Sequence, residues 1–279
     1  MKRLNEGKIQ FAVVTVDSFV LNAARYKYPA TIIMVIDESK GGDAIVARKD
    51  KAKSISDLTN LGNFRVAFTP DSPSHYLAKA TAYHFNVPSL IPTGSNFIST
   101  NGSSEAANKL MSGKAYVAIL WEPAVSKVLA DKNLVKILGT ESTRKLIVDI
   151  LVVNRTFARD NPEVVKLLLK NYFKVLKQFR DDPESLKKEV VKDTKLDEKT
   201  VDTMLKGVHW VNLTENCTQW FGISAPGLTS SEGLFDTIES TVDIVINSKD
   251  FDKSPIPDSD DYRIINSSFL ESLYLSGSL

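Results

Sequence analysis

The chain has 279 residues, 43% of them hydrophobic and 25% charged, with 35 Lys+Arg against 34 Asp+Glu for a formal charge of +1. That length allows about two domains of roughly 150 residues each and a core that needs no disulfide or metal. The composition excludes a disordered chain, and the charge balance offers no basic excess to a nucleic acid or a membrane surface. The longest aliphatic run, Ile32 to Ile36, is far short of the ~20 residues of a membrane helix. The single cysteine, Cys217, excludes an internal disulfide, a CxxC pair and a cysteine-rich zinc site.

The first residues, Lys2 to Lys8, read as the tail of a helix capped by Gly7. No apolar stretch of a secretory leader follows them. Gln10–Thr15 is apolar and β-branched and predicts a strand. Asp17 and Ser18 are good capping types for a helix running to about Tyr26. Thr31–Ile36 is a second strand, Gly41-Gly42 break the chain, and Asp43–Arg48 resumes as a third. A short helix is expected over Ser54–Leu58 and a strand over Phe64–Thr69. Pro70 to Ser74 then open a helix over Tyr76–Phe85.

Further along, Ser103–Ser112 and Pro123–Ala130 predict helices; Tyr116–Leu120, Leu134–Leu138 and Leu146–Val153 predict strands. From Pro162 the period becomes 3.6, with Val164, Leu167, Leu168, Phe173, Leu176 and Phe179 marking one long amphipathic helix. Helices follow at about Pro183–Asp193, Asp197–Gly207 and Leu234–Ile246. Early alternation of strands and helices predicts an α/β protein with mainly parallel sheets. Asp250–Asp261, with Pro255 and Pro257, reads as an exposed acidic connection. It is no EF-hand, because Pro255 and Asp261 stand where that loop needs its glycine and its bidentate glutamate.

One internal echo stands out. Leu4-x-x-Gly7-Lys8-x-x-x-Ala12-Val13-Val14 returns, 106 residues on, as Leu110-x-x-Gly113-Lys114-x-x-x-Ala118-Ile119-Leu120. Each copy is followed by an acid, Asp17 or Glu122. Two similar α/β lobes are the reading this favours. The counterpart of the unit at 64–85 would fall ahead of residue 1. The first lobe is therefore expected to be truncated by about 40 to 50 residues, leaving faces of Phe11–Val14 and Thr31–Ile36 partly uncovered.

Five stretches carry a resemblance: GKIQFAVVTVDSF (7–19), GGDAIVARKD (41–50), ISDLTNLGNFRVAFTPDSPSHYLAKA (55–80), EAANKLMSGKAYVAILWEP (105–123) and LIVDILVVNRTFARDNPEVVKLLLKNYFKVL (146–176). In this order the chain resembles the solute-binding proteins of ABC importers for nitrate, taurine, other sulfonates and thiamine precursors. It also resembles a subgroup in which an OmpA-like wall-anchoring domain follows. The resemblance implies a two-lobed type II periplasmic-binding-protein fold: residues 1–49 in lobe one, 50–146 in lobe two, and 147–279 returning to lobe one. It implies a periplasmic or extracytoplasmic monomer that captures a small molecule in the interlobe cleft. Its partners would be an ABC transporter permease or an OmpA-like domain.

Ligands in open α/β sheets lie against the carboxyl ends of strands. Thr15 and Asp17 hold that place in lobe one; Trp121 and Glu122 hold its echo in lobe two. Ser72, Ser74 and His75 follow a strand and open a helix, where free backbone N–H groups favour a polar or anionic ligand. Asp43 follows Gly41-Gly42 at the crossing between lobes. Asp17 doubles as a helix cap, and Trp121 offers a broad face with one N–H donor. No cofactor, metal or catalytic residue is expected. GxSxG, Walker A, HExxH and GxGxxG are absent, and His75, His84 and His209 lack metal-ligand spacing. The alternative from another class is an enzyme of thiamine-pyrimidine or menaquinone biosynthesis on the same scaffold. A lone cysteine leaves the first of these without its cysteine-rich motif.

Overall fold

The structure, a computed structural model, describes residues 1–59, 65–91, 96–223, 233–256 and 264–277. The first part of the chain holds α1 (Lys2–Asn5), β1 (Phe11–Thr15), α2 (Val16–Ala23), β2 (Ala30–Ser39) and β3 (Asp43–Arg48). Next come α3 (Ile55–Leu58), β4 (Val66–Phe68), α4 (Pro73–His84), β5 (Phe97–Ser99), α5 (Ser103–Met111), β6 (Val117–Trp121), α6 (Ala124–Leu129) and β7 (Leu134–Gly139). The remainder holds β8 (Val148–Asn154), α7 (Arg155–Asp160), α8 (Pro162–Asp181), α9 (Pro183–Thr194), α10 (Glu198–Lys206), β9 (Val208–Trp210), α11 (Leu213–Glu215) and α12 (Leu234–Asn247). A last helix spans Ser268–Ser276.

The strands form two sheets, in the orders β1-β8-β2-β9 and β5-β4-β6-β3-β7. The expected parallel sheets are not what forms: five of the seven strand pairings are antiparallel. Four of these five come from two strands that enter from the other sheet; the fifth joins β2 to β9. β8 inserts between β1 and β2, and β3 inserts between β6 and β7, each running against both neighbours. Only the β4 pairings with β5 and β6 follow the parallel pattern.

Alternation along the strands sends side chains to two cores per sheet. Ile32, Val35, Val148, Ile150 and Val152 pack with Phe19 and Val20 of α2 and with Ile238 and Val242 of α12. The opposite face, with Ile33, Leu151 and Val153, packs on Val165, Leu169 and Phe173 of α8. In the second sheet Ile45, Val117 and Ile119 meet Tyr76 and Leu77 of α4, and Val46, Ala118 and Leu120 meet Leu110 and Val125. α8 forms where the period placed it, but its buried stripe is offset. Val165, Leu169 and Phe173 face inward, while Val164, Leu167 and Leu168 are exposed.

The echo is structural. Gly7 and Gly113 both end a helix with positive φ, at 66° and 73°, a conformation glycine adopts without a Cβ clash. Leu4 and Leu110, which precede them, are fully buried. β1 and β6 each then pair antiparallel with the strand that crosses from the other sheet, β8 and β3. On its far edge β6 carries β4; among the described residues β1 pairs with β8 alone. β2 is buried along its whole length, so the expectation that Thr31–Ile36 is partly uncovered fails: β8 and β9 flank it and helices cover both faces. On β1, Val13 is exposed.

The two sheets are joined at residues 40–42 and 140–147, and the joints are tied together. The Ser39 and Thr140 hydroxyls lie 2.8 Å apart, and the Gly41 N–H donates to Thr140 Oγ1 at 2.9 Å. A third segment closes on them: the Lys40 and Gly42 N–H groups donate to the Gly207 carbonyl at 2.8 and 3.1 Å. A Cβ at Gly207 would stand 3.0 Å from the Gly42 nitrogen, so a side chain there would press the two segments apart. Of the acidic connection, residues 257–261 lie outside the described residues.

Candidate functional site

The crossing ends of the strands bring acids together. On the first sheet Thr15 of β1 stands opposite Asp149 of β8, which stands opposite Asp37 of β2. Opposed residues of antiparallel strands share a face, so the three form a row across the sheet. Asp37 and Asp149 are directly opposed, and their buried, interacting carboxyls are both raised. Asp17 sits in the first turn of α2 and Asp43 opens β3, and the charges of Asp17 and Asp149 both act on Asp43.

All four carboxyls are pushed upward. Burial raises Asp17 to about 6, against the pull of the Thr15 hydroxyl and the Asp17 and Ser18 N–H groups, and Asp149 adds to the rise. Burial raises Asp43 to about 7, opposed by the Ser39 hydroxyl and reinforced by Asp149, Asp17 and Glu122. Asp37 is raised by burial, then by Asp149 and Asp43; Asp149 is raised by burial and held down by Asp37. One Asp43 oxygen accepts from Ser39 Oγ at 2.7 Å. The other, Oδ1, and Asp17 Oδ2 are buried with no hydrogen-bond partner among the described residues.

Asp17 was expected to cap its helix. Instead α2 begins two residues earlier, at Val16, with Thr15 in the cap position and its hydroxyl donating to Ser18 Oγ at 2.9 Å. This leaves the Asp17 carboxylate facing the acid cluster.

Trp121 ends β6 directly opposite Asp43. Its backbone is clamped by Ser103, whose hydroxyl accepts from Trp121 N–H and donates to Trp121 O, each at 2.9 Å. Glu122 is turned to its own helix: its carboxylate accepts from Ser126 N–H at 3.0 Å and Ser126 Oγ at 2.8 Å.

Ser72, Ser74 and His75 make a separate group. Ser72 Oγ donates to Thr69 O at 2.7 Å and lies 2.9 Å from Ser74 Oγ, which accepts from Thr69 N–H at 3.1 Å. Their hydroxyls hold the loop ahead of α4. Asp71 N–H donates to His75 Nδ1 at 3.2 Å, so the hydrogen resides on the buried Nε2. Burial and nearby Lys79 lower His75 to about 4, which keeps it neutral. No hydrogen bond among the described residues joins this loop to the acids; α4 reaches them through Tyr76, which faces Asp17. The sequence thus placed Thr15, Asp17 and Asp43 in the cluster and missed Asp37, Asp149, Ser39 and Thr140. The available signal was an acid at the end of one buried apolar strand and another inside the next.

Two sheets joined by two crossings, each with an inserted antiparallel strand, define the type II periplasmic-binding-protein fold, and solved structures share it. The periplasmic sulfonate-binding protein SsuA of Methylobacillus flagellatus KT superposes with TM-score 0.71 at 14% identity, over 99% of this chain and 78% of that one. The alkanesulfonate-binding SsuA of Xanthomonas axonopodis pv. citri, bound to MOPS, gives 0.62 at 14% identity, over 89% of this chain and 78% of that one. The desulfurization enzyme DSZB gives 0.65 at 10% identity, over 96% of this chain and 85% of that one. No protein-family model and no curated protein matches the sequence.

Proposed function

We propose that this chain is a non-catalytic extracytoplasmic solute-binding module. It captures a small molecule between two lobes and delivers it to an ABC importer permease, or senses it beside an OmpA-like wall-anchoring domain, as a monomer. In this reading the lobes would hinge at residues 40–42 and 140–147, with β3, a strand of the second sheet, counted in lobe two rather than divided from it at 49/50. The observation that carries this reading is the convergence of Thr15, Asp17, Asp37 and Asp149 from one sheet with Asp43 and Trp121 from the other. A site assembled from both sides of two crossings can close on a ligand by a hinge. The sulfonate-binding proteins of the same fold support it.

The opposed, raised carboxyls of Asp37 and Asp149 favour a second reading, acid–base chemistry on a bound substrate. One experiment separates the two. The full chain is purified without denaturation, its bound small molecules are identified by mass spectrometry, and the recovered compound is returned to the stripped protein by calorimetry. Capture predicts reversible binding with the compound unchanged, and Trp121→Ala weaker by about 1–3 kcal/mol, the scale of an aromatic anchor. Conversion of the compound supports the enzyme, and absence of any bound or rebound small molecule overturns capture.

A further inference from the structure

We propose that the cleft selects an organic cation bearing N–H donors, an ammonium or guanidinium group, seated between Asp17 Oδ2 and Asp43 Oδ1. This rests on the capture reading and adds the charge and donor chemistry of the ligand. The first ground is unmet hydrogen bonding. Asp17 and Asp43 are only 2% and 6% exposed, yet each keeps one carboxylate oxygen without a partner among the described residues. A buried acceptor left unmade is costly, and these two, from opposite sheets, ask for a donor between them. The Tyr172 hydroxyl, which faces Asp37 from α8, is likewise buried and unpartnered.

The second ground is the sign of the surroundings. Asp43 faces Asp149, Asp17 and Glu122 beside the Ser39 hydroxyl. Asp17 faces Asp149, the Thr15 hydroxyl and Tyr76. Asp37 faces Asp149, Asp43 and Tyr172. Every one of these groups is an acid or a hydroxyl. Nearby cations are engaged elsewhere: Lys40 with Glu38 at 2.7 Å, Lys79 with Asp250 at 2.8 Å, and Lys145 over the Trp220 ring. Where these acids are ionised, a sulfonate or nitrate placed here would meet like charge without a paired cation.

The third ground is spacing. Among the described residues no three His, Cys, Asp or Glu side chains stand close enough to hold a metal ion. Two unpartnered carboxylate oxygens carried by separate elements suit a cation whose N–H groups point to separate acceptors, with charge-assisted bonds. Without a ligand the cluster holds protons; a cation replaces them, so binding strengthens as pH rises and protons are released.

The test is calorimetry on the full unmodified chain, stripped of bound solute, with methylguanidinium, 1,4-diaminobutane, tetramethylammonium and ethanesulfonate. The expected result is binding of methylguanidinium or 1,4-diaminobutane, about tenfold or more tighter at pH 8 than at pH 5, with proton release. Tetramethylammonium, a cation without N–H groups, is expected to bind at least about tenfold more weakly. Asp17→Asn and Asp43→Asn should each lose about tenfold or more; the pH series on the unmodified chain stands even where a variant does not fold. Binding of ethanesulfonate in preference to both N–H cations overturns the inference and leaves capture standing. Affinity independent of pH and of both variants also overturns it. Binding of none of the four probes, with no small molecule co-purified, overturns capture and the inference together.

Discussion

A buried carboxyl that keeps its proton in the folded state makes stability depend on pH with a definite sign. Asp43 is raised to about 7 from an ordinary value of 3.8. Between these values the folded chain holds a proton that the unfolded chain has lost. Its stabilising effect is complete below about pH 4 and is lost as pH rises through about 7. Asp17, raised to about 6, acts in the same direction over a narrower window. The ligand-free protein is therefore expected to be more stable at pH 5 than at pH 8, by urea unfolding at both. Asp43→Asn removes one of the titrating groups and should narrow that difference; a difference as large as in the parent would show that Asp43 titrates normally. Thr15, Asp17 and Asp43 were legible because strand ends mark themselves in the sequence. Asp37 and Asp149 were not, because each lies in a buried apolar strand whose acid reads as an interruption of the core. Ser72 and Ser74 illustrate the reverse: good donor types at a helix start, whose hydroxyls the local loop consumes.

Among the elements, α8 shows what periodicity conveys and what it leaves open. Its apolar residues exceed the width of one face, so the sequence marks a helix without deciding which stripe is covered. The structure decides for Val165, Leu169 and Phe173. Leu169→Ala should cost about 2–5 kcal/mol, the range for a truncated core leucine, whereas Leu167→Ala, at a site 60% exposed, should stay within about 0.5 kcal/mol. Equal losses in chemical denaturation would refute the offset. Sheet direction was illegible for a related reason. Local alternation of strand and helix suggests parallel neighbours, but β3 and β8 take their places by crossing between sheets, and that pairing is set by tertiary packing. β5 and β9, three residues each, are too short to show a period.

For the whole molecule, the question is what holds α12 across the two sheets. Its Ile238, Val242 and Val245 pack in the core of the first sheet, while Ile244 joins that of the second. Two polar contacts reinforce the bridge from α4: Tyr76 OH donates to Thr241 Oγ1 at 3.1 Å, and Lys79 Nζ meets both oxygens of Asp250 at 2.8 Å. The ion pair is asymmetric, for the Lys79 side chain is 5% exposed and that of Asp250 is 26% exposed. Removing the carboxylate strands a buried ammonium, whereas removing the ammonium leaves an acid that water already reaches. Asp250→Asn should therefore destabilise by about 3 kcal/mol, and Lys79→Met by clearly less, in urea unfolding near neutral pH. The charge that remains decides the size of each effect, so the ordering also tests the packing around α4. If Lys79→Met proves the more damaging change, the lysine is supported by its aliphatic contacts rather than by Asp250, and the bridge between the sheets rests on the apolar residues of α12.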